Sequence, residues 1–167
     1  GTDYYAQSFK ALDSYVVDAG IFIRNNSKST PNFRVQLWGT NSSGYPDRYN
    51  VIASSRVITG SEVNSTMGQR WFVHPNVSIS VVVGETYWVV IDGYYDHTTA
   101  GTGGSRMTGG NLYKDGNFTF SNNAGVTWST ALSAYDLDFV VTFSASQSTI
   151  KMMKGGSTWS TIGGTGG

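Results

Sequence analysis

The sequence predicts an all-β fold, an antiparallel β-sandwich that is jelly-roll-like. Three observations carry that expectation. Apolar and polar residues alternate with a period of two in several short runs, turn residues separate the runs, and no stretch has the spacing of an amphipathic helix. Short alternating strands joined by tight turns build antiparallel sheets packed face to face.

Taken in order, "NFRVQLW" puts Phe33, Val35 and Leu37 on one face and Arg34, Gln36 and Trp38 on the other. "VSISVVV" turns Val77, Ile79 and Val81 inward against Ser78 and Ser80. "ETYWVVID" is apolar on both faces, so it reads either as a central strand covered on both sides or as one with Trp88 under a loop. "YDLDFVVTF" aligns Leu137, Phe139, Val141 and Phe143 opposite Asp136, Asp138 and Thr142. Turns fall at 25–31, 39–47, 84–85, 92–96 and 115–117, all rich in Gly, Asn, Asp or Pro. Residues 97–110 read as a long Gly/Thr loop. The domain expected is 1–145, with 146–167 a Gly/Ser/Thr-rich extension or a linker to a further element.

Composition narrows the functions. Eleven basic residues balance eleven acidic ones among 167, and no Lys/Arg cluster exists to neutralise phosphate, which argues against a nucleic-acid partner. There is no cysteine, hence no disulfide, thiolate metal site or thiol nucleophile. No apolar run approaches the ~18 residues of a membrane span. Sequons at Asn25, Asn41, Asn64, Asn76 and Asn117 hint at an exterior protein.

The stretch "SNNAGVTWST" (121–130) follows the S-x-D-x-G-x-T-W pattern known as the Asp-box, familiar from sialidases and other glycan-processing propellers. Turn chemistry asks the same of these residues without any catalysis: Asn123 accepts backbone N–H groups across a turn, Gly125 takes a positive φ, and Trp128 packs beneath. The structural reading is the expectation. "GSTWSTIGG" (156–164) repeats the Gly-x-Thr-Trp-Ser-Thr core, too little for a propeller.

Catalytic constellations are sparse. Asp136 and Asp138 share a strand face about 7 Å apart, within glycosidase range, but equally describe a solvated face. His74 and His97 have no Ser elbow, "GTGGS" (101–105) lacks the Lys of a phosphate loop, and the arginines are scattered singly, unlike a sialidase. The chain is expected not to be an enzyme and to need no cofactor. A structural calcium ion is the one candidate, with Asp92 and Asp96 from one loop and Asp115 and Asn117 from another; Asp-Gly is also a plain turn signal. Sugar stacking is the leading ligand signal. Trp38, Tyr45, Tyr49, Tyr94 and Tyr95 are its candidates, with the alternative that Trp38 lies under a loop and the tyrosines cap sheet edges.

The segments "YYAQSF", "FRVQLW" with a following "GYPD", "VVVGETYWVVID", "SNNAGVTWS" and "DLDFVVTF" occur in the order seen in choice-of-anchor R-type domains, and residues of about 4–143 resemble that family. The resemblance implies a non-catalytic β-sandwich on a secreted, cell-surface or phage virion protein, often without an assigned ligand, and it supplies no catalytic residues. The tail "IKMMKGGSTWSTIGG" resembles short hairpins of phage tail fibres and bacterial surface proteins. The function expected is thus a structural or adhesive module of an extracellular, cell-surface or virion assembly. Its partners would be neighbouring copies or adjacent domains reached through 146–167 by strand addition, and the alternative is a carbohydrate-binding module.

Overall fold

The computed structural model describes residues 3–23, 32–62, 69–72, 78–93, 107–109, 113–130, 135–137, 139–143, 149–152 and 160–162. Within them the chain is nearly all β and antiparallel, with one three-residue 3-10 turn, Gly60–Glu62. The strands are β1 Tyr4–Lys10, β2 Tyr15–Ile23, β3 Arg34–Thr40, β4 Pro46–Ser54, β5 Gln69–Phe72, β6 Ile79–Ser80 and β7 Thr86–Asp92. They continue with β8 Met107–Gly109, β9 Phe118–Ser121, β10 Tyr135–Leu137, β11 Phe139–Phe143, β12 Thr149–Met152 and β13 Ser160–Ile162. One sheet has the order β4-β3-β7-β1-β9. A second runs β13-β12-β11-β2-β5, with β6 also on β2, and β8 and β10 form a separate ribbon.

One apolar core draws on both sheets. Phe9, Val35, Leu37, Val89 and Ile91 of the first sheet cluster with Val16, Ala19, Ile21, Phe139, Val141 and Phe143 of the second, all but Ile91 without measurable exposure. The Phe9 and Phe143 rings meet edge-on at 6.3 Å, joining β1 to β11. Burying such side chains stabilises by about 1.5–3 kcal/mol each, which is what fixes the register of alternating strands. Gln7 is the polar exception in this layer: fully buried, it accepts the main-chain N–H of Leu137 on β10 through Oε1 at 2.9 Å. That bond ties the ribbon to the first sheet and satisfies a backbone donor that would otherwise be stranded.

The alternating runs land as read. Phe33, Val35 and Leu37 face the core, as do Ile79 and Val81, with Ser78 and Ser80 exposed, while Val77 lies outside the described residues. The two-faced run "ETYWVVID" is β7, third of five in its sheet. Three readings change. The "YDLDFVVTF" run is divided between two sheets, its first part pairing with β8 and its second with β2 and β12. The stretch expected to be a Gly/Thr loop contains β8, because main-chain pairing with β10 asks little of its side chains. Beyond residue 145, β12 lies along β11 and β13 along β12, and Ile150 is buried in the shared core at 1 % exposure. The segment with the look of a linker thus carries a core side chain.

Ile150→Ala should lower stability in urea unfolding by about 2–5 kcal/mol, the cost of a large-to-small change in a packed core. A loss under about 0.5 kcal/mol, the size of a surface substitution, would place Ile150 outside the core.

Candidate functional site

The first sheet has a second covered face. Period-two alternation puts Arg34, Gln36 and Trp38 of β3 beside Trp88, Val90 and Asp92 of β7 and Tyr4 and Ala6 of β1. Trp38 and Trp88 are directly paired across β3 and β7 and are 3 % and 2 % exposed. Each indole N–H is satisfied: Trp38 donates to Gln36 Oε1 at 2.9 Å and Trp88 to Thr40 Oγ1 at 3.0 Å.

The cover over this small cluster is the stretch 121–129. Asn123 Oδ1 accepts from Thr127 N at 2.9 Å and from the Ser121 hydroxyl at 2.8 Å, while Asn123 Nδ2 donates to Thr127 Oγ1 at 2.8 Å. Ser121 Oγ accepts from Gly125 N at 2.9 Å, and the Ser129 N–H closes the turn on Phe120 O at 2.8 Å. Trp128 then meets Trp38 edge-to-face at 5.9 Å and 87°, and Tyr4 meets Trp38 on another side at 6.1 Å. Gly125 has φ 79°, and a Cβ there would stand 3.0 Å from the Trp38 ring and 3.3 Å from Trp128. Both the conformation and the tight space between two indoles favour glycine. Ala124, next to it, holds φ 59°, a left-handed conformation that costs a non-glycine residue about 1–3 kcal/mol.

At the end of the same face the cover stops and polar groups begin. Asp92, 1 % exposed, lies directly opposite Arg34 on one side and Tyr4 on the other. Its Oδ2 accepts from both Arg34 Nε, at 2.8 Å, and Arg34 Nη2, while Oδ1 is buried with no hydrogen-bond partner. A buried acceptor left without a donor costs about 1–3 kcal/mol. Burial first, then the adjacent Asp92 carboxylate, pushes the Tyr4 phenol up to about 12. These groups floor an open cleft of about 340 Å³, whose wall is Arg48, Tyr49 and Val51 of β4 and whose lip is Ala124. Tyr49 is 84 % exposed, with the Arg48 guanidinium 4.7 Å above its ring and donating to its hydroxyl at 2.7 Å.

The candidates read from sequence scatter around this cleft. Tyr49 forms part of its wall. Trp38 lines it at 3 % exposure, with Trp128 and Tyr4 both packed edge-to-face with it, which leaves little of the indole open for stacking. Tyr45 is half-buried in the β3–β4 turn, its main chain closed on Asn41, and does not line the cleft. Tyr94, Tyr95 and Asp96 lie outside the described residues, as do Asp138, His74, His97 and 101–105. Of the four calcium candidates, Asp92, Asp115 and Asn117 lie within the described residues, and Asp92 stands apart from the other two. Asp92 is opposite Tyr4 and engaged by Arg34, whereas the Asn117 carbonyl accepts from Ser8 N and its N–H donates to Ser8 Oγ, four residues and about 13 Å further along β1. Asp115 is exposed beside it, and a side chain at Gly116 would collide with the Ser8 carbonyl, so this turn is drawn tight against β1. Among the described residues no three His, Asp or Glu side chains converge.

Sequence reasoning passed over Arg34, Tyr4 and Arg48. Arg34 opens β3 and Asp92 closes β7, but only the β3–β7 register brings them opposite one another. Comparison with known proteins finds no matching family model, no similar curated sequence and no similar solved structure.

The raised Tyr4 pKa has a definite sign. The folded chain holds that proton more tightly than the unfolded chain, so the contribution is complete below pH 10 and is lost as pH rises from about 10 to about 12. Absorbance titration of tyrosinate should show a late component near pH 12 that Tyr4→Phe removes; an unchanged curve in the variant would contradict the burial of this phenol beside Asp92.

Proposed function

We propose that the chain is a non-catalytic structural and adhesive module of an extracellular, cell-surface or virion assembly, built as a jelly-roll-like β-sandwich. One observation carries the reading: the second sheet ends on a run of successively added short strands, with the three-residue β13 outermost. An outermost strand offers main-chain donors and acceptors to a strand of a neighbouring copy or adjacent domain, whatever the side chains are. The order of motifs shared with choice-of-anchor R-type domains, and the likeness of the tail to tail-fibre hairpins, supports the same reading. Nothing in this role calls for a cofactor.

A second reading, carbohydrate binding, is favoured by the exposed Tyr49 face beside a cleft of hydrogen-bonding groups. C–H faces of sugars stack on such rings, and polar side chains take the hydroxyls. The two readings are compatible in one adhesive subunit, since the second-sheet edge and the β4 cleft belong to different sheets.

Size-exclusion with light scattering on the full chain and on a chain ending at Met152 tests the assembly reading. The full chain should run as an oligomer and the shortened one, which keeps β12, as a folded monomer. Monomers in both cases would sink it.

A further inference from the structure

The β4 cleft gathers three features that the packing of the sheet does not require. Asp92 is almost fully buried, yet its Oδ1 has no donor. Ala124, at the lip, is the non-glycine residue held at positive φ among the described residues. Tyr49 presents an aromatic ring at 84 % exposure on the opposite wall. Strained backbone and an unsatisfied buried acceptor around one concavity are the marks of a site held ready for something else.

The groups present define what that is. Oδ1 is an acceptor, so the ligand must donate a hydrogen bond there. Two guanidinium groups, Arg34 and Arg48, and one carboxylate line the cleft, a balance that disfavours a cationic donor such as an ammonium. A hydroxyl fits, because it donates to a carboxylate and accepts from a guanidinium at once. A ring with adjacent hydroxyls on one edge and apolar C–H groups on a face matches both the Asp92–Arg34 pair and the Tyr49 ring. The volume, about 340 Å³, is at the small end of ligand clefts and suits one or two sugar rings.

Resting on the carbohydrate reading above, we propose that the β4 cleft binds a hexopyranose unit of a glycan, stacked on Tyr49, with one of two vicinal hydroxyls donating to Asp92 Oδ1 and the other accepting from Arg34. Oδ1 is buried, so entry of the sugar requires the cleft floor to open at Asp92. The bound hydroxyl then supplies the donor that Oδ1 lacks.

An array of gluco-, galacto- and manno-configured oligosaccharides, followed by titration of the strongest binder by calorimetry, tests this on the full chain, Asp92→Asn and Tyr49→Ala. The melting temperature of each variant is measured alongside. Binding should weaken at least tenfold in both variants, with Tyr49→Ala, an exposed position, melting as the parent does. If Asp92→Asn fails to fold, Tyr49→Ala decides alone. Sugar binding that survives both substitutions would overturn this site and leave the carbohydrate reading standing. No sugar bound at millimolar concentration would overturn both. Spermidine bound in the cleft and lost in Asp92→Asn would overturn the ligand class.

Discussion

The central strands of the first sheet are apolar on both faces, and that constraint organises the rest of the chain. Strands β3 and β7 carry Val35, Leu37, Val89 and Ile91 on one side and Trp38, Trp88 and Val90 on the other. Neither set tolerates water, so each face needs its own cover. The first is packed with side chains of the second sheet, down to the Phe9–Phe143 contact. Among the described residues the other is covered by the turn after β9, whose Trp128 meets Trp38 edge-to-face. The Asp-box-like sequence is therefore a packing device in this chain. Its hydrogen bonds among Ser121, Asn123 and Thr127 shape a turn tight enough to place Gly125 between two indole rings.

The cleft follows from where that cover ends. At the level of Asp92 the face is no longer apolar, and the cross-strand register places a carboxylate between a guanidinium and a phenol. A buried charge is tolerable only when paired, and Arg34 provides the pair through a single carboxylate oxygen. Removing either partner would strand the other in a poorly solvated place, so these residues hold the sheet end together as well as flooring the cleft. Tyr49 and Arg48 have no such structural duty: they stand on β4, the edge of the sheet, mostly in solvent. The combination of a fixed floor and an exposed aromatic wall is what separates this concavity from an ordinary surface dent.

Much of the fold was legible in the sequence, for a physical reason. Alternation in "NFRVQLW" and "VSISVVV" reports which face meets the core, and the buried positions Phe33, Val35, Leu37, Ile79 and Val81 agree with it. The double-sided "ETYWVVID" run was legible as a central strand, and its Trp88 does lie in a covered cluster. Register was not legible, because it depends on partners far apart in sequence. Hence Arg34 and Asp92, 58 positions apart, could not be paired beforehand, and Tyr4 could not be placed beside them. Trp38 was the ambiguous case: an indole on a polar-looking face serves as a platform or as a cluster member, and only the position of Trp128 decides between them. The C-terminal strands were hidden by composition. Gly, Ser and Thr look like linker, whereas strand pairing uses the main chain, and Ile150 of β12 is buried in the core.

If the turn at 121–129 exists to close the second face of the sheet, its tryptophan and that of β3 must act as a unit. A double-mutant cycle of Trp38→Leu and Trp128→Leu, read by urea unfolding, measures this directly. The predicted result is a coupling of about 1 kcal/mol, the value expected of an edge-to-face aromatic pair beyond its buried area. Additive losses, with no coupling between the two positions, would contradict the account.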